Sequence, residues 1–123
     1  MVKKYGIELI LDLNDCDPNT FTRLNLTKFF NKIAKITDMK LALSPYFWDD
    51  DNGENLNEDH LIGTSAFHFI QTSNITIHTL SILKAVMINL FTCKDFNVEE
   101  TCRYIEGFFK GKIVKKTVID RVY

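Results

Sequence analysis

Apolar and polar positions alternate with a period of two from Tyr5 to Leu13, with Ile7, Leu9, Leu11 and Leu13 on one face and Glu8, Ile10 and Asp12 on the other. Strand side chains point alternately to opposite faces, so this stretch predicts a half-buried strand with a mixed second face. The basic start, Met1-Val2-Lys3-Lys4, leads into that strand and is not read as a signal peptide, because Glu8 and Asp12 interrupt the apolar run. Asn14-Asp15-Cys16-Asp17-Pro18-Asn19 then forms a turn. From Leu26 the period changes: Leu26, Phe29, Phe30, Ile33 and Ala34 follow helical spacing, with Asn25 able to cap the first turn and an end near Asp38. Met39 to Ser44 predicts a second strand, stopped by Pro45 just before Tyr46, Phe47 and Trp48. Asp49 to His60 is acidic and almost free of apolar residues, so an exposed loop is expected.

Three further alternating arms follow, Leu61 to Gln71, Asn74 to Leu80 and Ala85 to Cys93. His78 shares a face with Asn74 and Thr76, whereas Ile75 and Ile77 point the other way. Asn97, with Glu100 three residues later, opens a second helix whose apolar stripe is Val98, Cys102, Ile105, Phe108 and Phe109. Gly111 is expected to end it, and Ile113 to Val122 reads as a last strand, with Lys115-Lys116 as a solvated edge. The whole is an α+β pattern in one domain, residues 1–123: a largely antiparallel β-sheet with two helices packed on one face. A chain of 123 residues has a real core, yet it is small enough that pairing with a second copy would help bury the other sheet face.

Charge narrows the partners. The net charge is −1 and no basic cluster appears, which argues against nucleic acid. Cys16, Cys93 and Cys102 have neither zinc-ligand spacing nor an even count, so a metal site and a disulfide framework are not expected and a reducing cytoplasm is. The most apolar stretch, Leu80 to Phe91, contains Lys84 and Asn89 and is too short to span a bilayer, so no membrane partner is expected.

Candidate chemistry gathers between Ser65 and Cys93. Ser65, Ser73, His78 and Cys93 are separated by seven, four and fourteen residues, and Gln71-Thr72-Ser73-Asn74 breaks two alternating runs. By spacing alone the break is an ordinary hairpin turn. The segment Ile70-Gln71-Thr72-Ser73-Asn74-Ile75-Thr76-Ile77-His78, however, resembles the processing segment of the small prokaryotic S-adenosylmethionine decarboxylases, in which a serine becomes a pyruvoyl group. Thr92-Cys93 and Gly63-Thr64-Ser65 fall without a gap on that family's Thr-Cys and Gly-x-Ser, and Gly6 with Asp12 to Asp17 resembles its opening strand.

The resemblance implies self-cleavage between Thr72 and Ser73. Ser73 would attack the Thr72 carbonyl, His78 would assist the elimination that follows, and Ser65 would hydrogen-bond the intermediate. The pyruvoyl group left at residue 73 would hold the substrate amine, and Cys93 would return a proton as general acid. The family stacks its substrate's adenine on aromatic residues, a role open to Phe47 or Trp48; closing the edge of the core is the other account of both.

Three departures stand beside these matches. Thr72 replaces the family's Glu before the processed serine, Asn74 replaces the His after it, and Ile82 falls where a Glu recognises the ribose hydroxyls. An aliphatic side chain cannot accept those bonds, and each buried group left unpaired costs on the order of 1–3 kcal/mol. Three readings follow. The first is a pyruvoyl-dependent S-adenosylmethionine decarboxylase of polyamine synthesis. The second is the same machinery acting on ornithine or arginine, with Asp12 or the acidic loop holding the distal cation. The third is an unprocessed binding or regulatory relative. For the enzymes, the partners expected are a small amino-acid-type substrate and a second processed copy.

Overall fold

The computed structural model describes residues 1–50 and 58–123. Its central strand is β1 (Lys4–Asn14), whose Ile7, Leu9, Leu11 and Leu13 are buried as the alternation requires. On one side β1 pairs with β6 (Lys112–Val122), on the other with β5 (Ala85–Thr92). Beyond β5 come β4 (Ser73–Leu80), β3 (Gly63–Ile70) and β2 (Tyr46–Asp50). The sheet order is β2-β3-β4-β5-β1-β6, antiparallel throughout.

Helices α1 (Arg23–Ile36) and α2 (Val98–Phe109) close one face. Phe29 of α1 joins them: its ring centroid lies 5.0 Å from those of Phe108 and Phe109 and 5.9 Å from Tyr104. Below these rings lie Leu9, Leu11, Ile75, Ile77, Ile88 and Leu90, so the expected α+β architecture is the observed one. Burying one such ring contributes roughly 1.5–3 kcal/mol. No helix among the described residues is long and apolar enough to cross a membrane.

Four local expectations are corrected. Met39 to Ser44 is not a strand: Leu41 makes one isolated bridge to Ile70, Leu43 turns left-handed at φ 59°, and the strand starts only after Pro45, at Tyr46. Asp49 and Asp50, expected in the acidic loop, are the last residues of β2; Asp59–Leu61 is a short 3-10 turn, and residues 51–57 of that loop lie outside the described residues. Thr22, not Asn25, caps α1 by accepting the Asn25 N–H, four residues before the apolar stripe begins at Leu26. At the end of α2 the left-handed residue is Lys110 (φ 54°), because Gly111 is needed elsewhere: a Cβ there would lie 2.5 Å from the Cys16 sulfur.

Register places the second set of side chains on the face without helices. Trp48, Ser65, His78, Met87, Asp12 and Lys115 form one row across all six strands, and Tyr46, Phe67, Thr76, Asn89, Ile10 and Thr117 form the next. Tyr46, Trp48, Phe67, Phe69 and Met87 are all exposed there. At the sheet's edge, β6 is exposed along nearly its whole length; Lys115 and Lys116 are solvated as expected, with Lys116 bonded to Glu99 at 2.8 Å.

Candidate active site

The hairpin between β3 and β4 turns in two residues, Gln71 and Thr72. Thr72 adopts φ 52°, a left-handed conformation that a β-branched residue takes only at a cost of about 1–3 kcal/mol. The strain therefore sits on the residue whose carbonyl Ser73 would attack. Ser73 opens β4 with its side chain buried, and its Oγ accepts the Cys93 N–H at 2.8 Å. The Cys93 sulfur in turn lies 3.8 Å from the Gln71 carbonyl, to which it donates.

Cys93 differs from the other two thiols. Hydrogen bonding from Thr72 holds its pKa below the ordinary 9.0 against the opposing effect of burial, with Ser73, its own backbone N–H and the Lys94 charge adding to the lowering. Burial pushes Cys16 up to about 11 and raises Cys102 as well. Only Cys93, of the three, has a surrounding that favours giving and regaining a proton.

A second cluster lies on the bare face. Ser65 and His78 are register partners, and Ser65 Oγ is 2.7 Å from His78 Nδ1. Next to them, Thr64 donates its N–H to Thr79 Oγ1 at 2.9 Å, and that hydroxyl donates to the Thr64 carbonyl at 3.1 Å. Gly63 makes this approach feasible, since a Cβ there would lie 1.6 Å from the Thr79 carbonyl oxygen. The pair opens on a cleft of about 490 Å³ walled by Trp48, Leu61, Leu80, Leu83 and Met87, with His60 at its margin.

The four candidate residues thus fall into two pairs. Ser73 and His78 start five residues apart on β4, about 17 Å at ~3.4 Å per residue, and strand alternation sends them to opposite faces. Within one chain the Ser65–His78 pair and the Ser73–Cys93 pair do not meet. The two aromatic candidates part as well. Phe47 packs on the helix side, 6.4 Å from the Phe30 ring and 5.5 Å below the Arg23 guanidinium, whereas Trp48 is 62% exposed beside Ser65. Asp12 shares the row of His78 two strands away, roughly 10 Å at ~4.8 Å per strand. Ile82 is exposed in the turn after β4.

His68 faces the helices, its Nε2 2.9 Å from the Leu43 carbonyl and its ring edge-on to Phe30, as packing predicts. Reading the sequence missed a cavity of about 630 Å³ behind the reactive turn, lined by Lys35, Asp38, Lys40, Thr72, Cys93 and Lys94. The adjacency of Lys94 to Cys93 was its one visible sign.

These residues fit a pyruvoyl precursor: a serine behind a strained carbonyl, its oxygen oriented by a backbone N–H, with an acidified thiol alongside. Among curated proteins none matches the chain. Among families, the model for S-adenosylmethionine decarboxylase matches residues 7–122, which takes in both candidate pairs and all six strands save the first three residues of β1. The chain belongs to the S-adenosylmethionine decarboxylase family.

Proposed function

We propose that this chain is a self-processing decarboxylase that cuts itself between Thr72 and Ser73, carries a pyruvoyl group derived from Ser73, and acts on S-adenosylmethionine. Family membership makes it a decarboxylase, and the family is pyruvoyl-dependent in general. The observation that carries the finer reading is the reactive turn, where the left-handed Thr72 and the Cys93 N–H prepare the attack of Ser73 Oγ. When present, the pyruvoyl group supplies a carbonyl that binds the substrate amine and draws off the electrons left by carbon dioxide. Cys93 then returns the proton from its place beside residue 73.

Two chains are required on this reading. Ser65 and His78 stand about 17 Å from Ser73 of their own chain, on a face whose aromatic residues are exposed. Pairing two such faces covers those aromatic residues, and on this reading the hydroxyl–imidazole pair of one chain serves the hairpin turn of the other at the rim of the pairing, where Gln71 and Thr72 are exposed. The assembly works in the cytoplasm, where Cys93 stays reduced.

A specific observation favours a basic amino acid as the second substrate reading. Asp12 shares the row of His78 with no ion-pair partner among the described residues, while Ile82 offers nothing to a ribose. Intact mass of fresh protein beside Ser73→Ala tests the processing. Two fragments, 1–72 and 73–123, are expected from the wild type and one 14.3 kDa species from the variant. A wild type that stays whole returns the chain to the binding or regulatory reading. Carbon dioxide release from S-adenosylmethionine, ornithine and arginine then decides the substrate.

A further inference from the structure

The cavity behind the reactive turn holds more cations than the fold needs. Three of its lining residues are lysines and one is an acid; Lys94 pairs with Asp38 at 3.2 Å, whereas Lys35 and Lys40 have no ion-pair partner among the described residues. These lysines come from three places: the last turn of α1, the segment after it, and the bend just after β5. The backbone holds them at the turn, since the Gln71 N–H donates to the Lys40 carbonyl at 2.9 Å and Lys94 follows Cys93 directly. Thr72 forms part of the same wall. The cavity is therefore a basic recess opening on the peptide bond that processing would break.

Processing makes an anion at that spot. Ser73 Oγ–H adds to the Thr72 carbonyl carbon and the C–N bond breaks, leaving an ester between the Thr72 carbonyl and Ser73 Oγ with a free amine on residue 73. A base then removes the Ser73 Cα proton, the Cβ–Oγ bond breaks, and its electron pair departs with Thr72 as a carboxylate. Water replaces the nitrogen of the remaining dehydroalanine, releasing ammonia and leaving the pyruvoyl carbonyl. The leaving group of the second step is thus the carboxylate of Thr72, formed in the wall of the recess.

We infer that Lys94 and Lys40, with Lys35 behind them, form the receptor for the new Thr72 carboxylate, stabilising it as it leaves Ser73 and holding the freed chain end clear of the substrate. This rests on the self-cleavage proposed above. Charge that develops in a transition state is the charge an enzyme gains most by neutralising. The recess is open to water, so the gain is on the order of tenfold in the elimination, short of the roughly hundred- to thousand-fold of a buried oxyanion donor.

The test follows intact mass over time in freshly purified full-length protein, with and without hydroxylamine, which cuts esters and spares peptide bonds. Wild type is compared with Lys94→Met, Lys40→Met, the double variant, Lys94→Arg and Asp38→Asn. The double variant should accumulate an uncut chain that hydroxylamine splits at residue 72, with fragments appearing on the order of tenfold more slowly than from wild type. Lys94→Arg should keep pace, and Asp38→Asn, which breaks the same ion pair but leaves the lysine, should be as fast or faster. A double variant that processes at the wild-type rate, or that stalls with no hydroxylamine-sensitive bond, overturns the inference and leaves self-cleavage standing. Slowing by Asp38→Asn equal to that by Lys94→Met also overturns it, because the ion pair would then matter only to the fold. A wild type that yields neither fragments nor a sensitive ester defeats self-cleavage itself, and this inference with it.

Discussion

The two ends of β4 carry the two halves of the candidate chemistry in different materials. At the Ser73 end the parts are backbone: a left-handed Thr72, a two-residue turn, and a main-chain N–H from Cys93 on the serine oxygen. At the His78 end they are side chains, a hydroxyl 2.7 Å from an imidazole on an exposed face. The first end is held by the hairpin and by the helix-side core, where Ser73 is buried. The second is held by register alone and faces solvent in a single chain. A nucleophile can be prepared by local folding, whereas its base must be delivered, and on the proposed reading a second copy delivers it.

The largest effect that could break this contrast is an all-or-none one. Ser73→Ala and His78→Ala should each stay uncut alone, yet when co-expressed the His78→Ala chain of every mixed dimer should be processed, about half of all His78→Ala chains under random pairing, since one of two symmetric sites is complete. Intact masses decide it, and no cleavage in the mixture would place both halves in one chain.

Stability separates the two faces next. Phe29→Ala should cost roughly 3–5 kcal/mol in urea unfolding, because its ring is central to the buried aromatic cluster. Phe69→Ala, on the bare face, should cost the monomer under about 0.5 kcal/mol and weaken self-association instead, as sedimentation at falling concentrations would show. Equal losses at the two positions would mean the bare face is covered within one chain.

Alkylation sharpens the account of the reactive end. A thiol whose folded pKa is lowered reacts as a thiolate at lower pH, so the pH profile of Cys93 labelling should have its midpoint below 9.0. Cys16, pushed up to about 11 and buried, should label on the order of tenfold or more slowly across that range, with peptide masses reporting each site. The same lowering makes a small stabilising contribution that is full above pH 9.0 and fades as pH falls through the folded pKa. Thr72→Gly should stabilise the uncut chain by about 1 kcal/mol and slow its cleavage several-fold by removing the strain.

The expectations that failed share a cause. Periodicity finds the interior of an element, so the stripe of α1 was legible from Leu26 while its true cap, Thr22, lay outside the apolar pattern. Met39 to Ser44 has strand composition, but the left-handed Leu43 moves the ladder past Pro45. The lysine recess was invisible because its members are scattered from Lys35 to Lys94 and carry no spacing.

Alternation along β1, β3, β4 and β5 by itself determined the sheet and its two faces, because a period of two has only one way to bury its apolar set. Ser65, Ser73, His78 and Cys93 became candidates through the resemblance of their segments to the S-adenosylmethionine decarboxylases, since their spacing alone reads as an ordinary hairpin. Which of them meet was decided only by the tertiary structure. Neighbours in sequence on one strand are carried apart at ~3.4 Å per residue, while Ser65 and His78, or Ser73 and Cys93, are joined by strand pairing that no local pattern records.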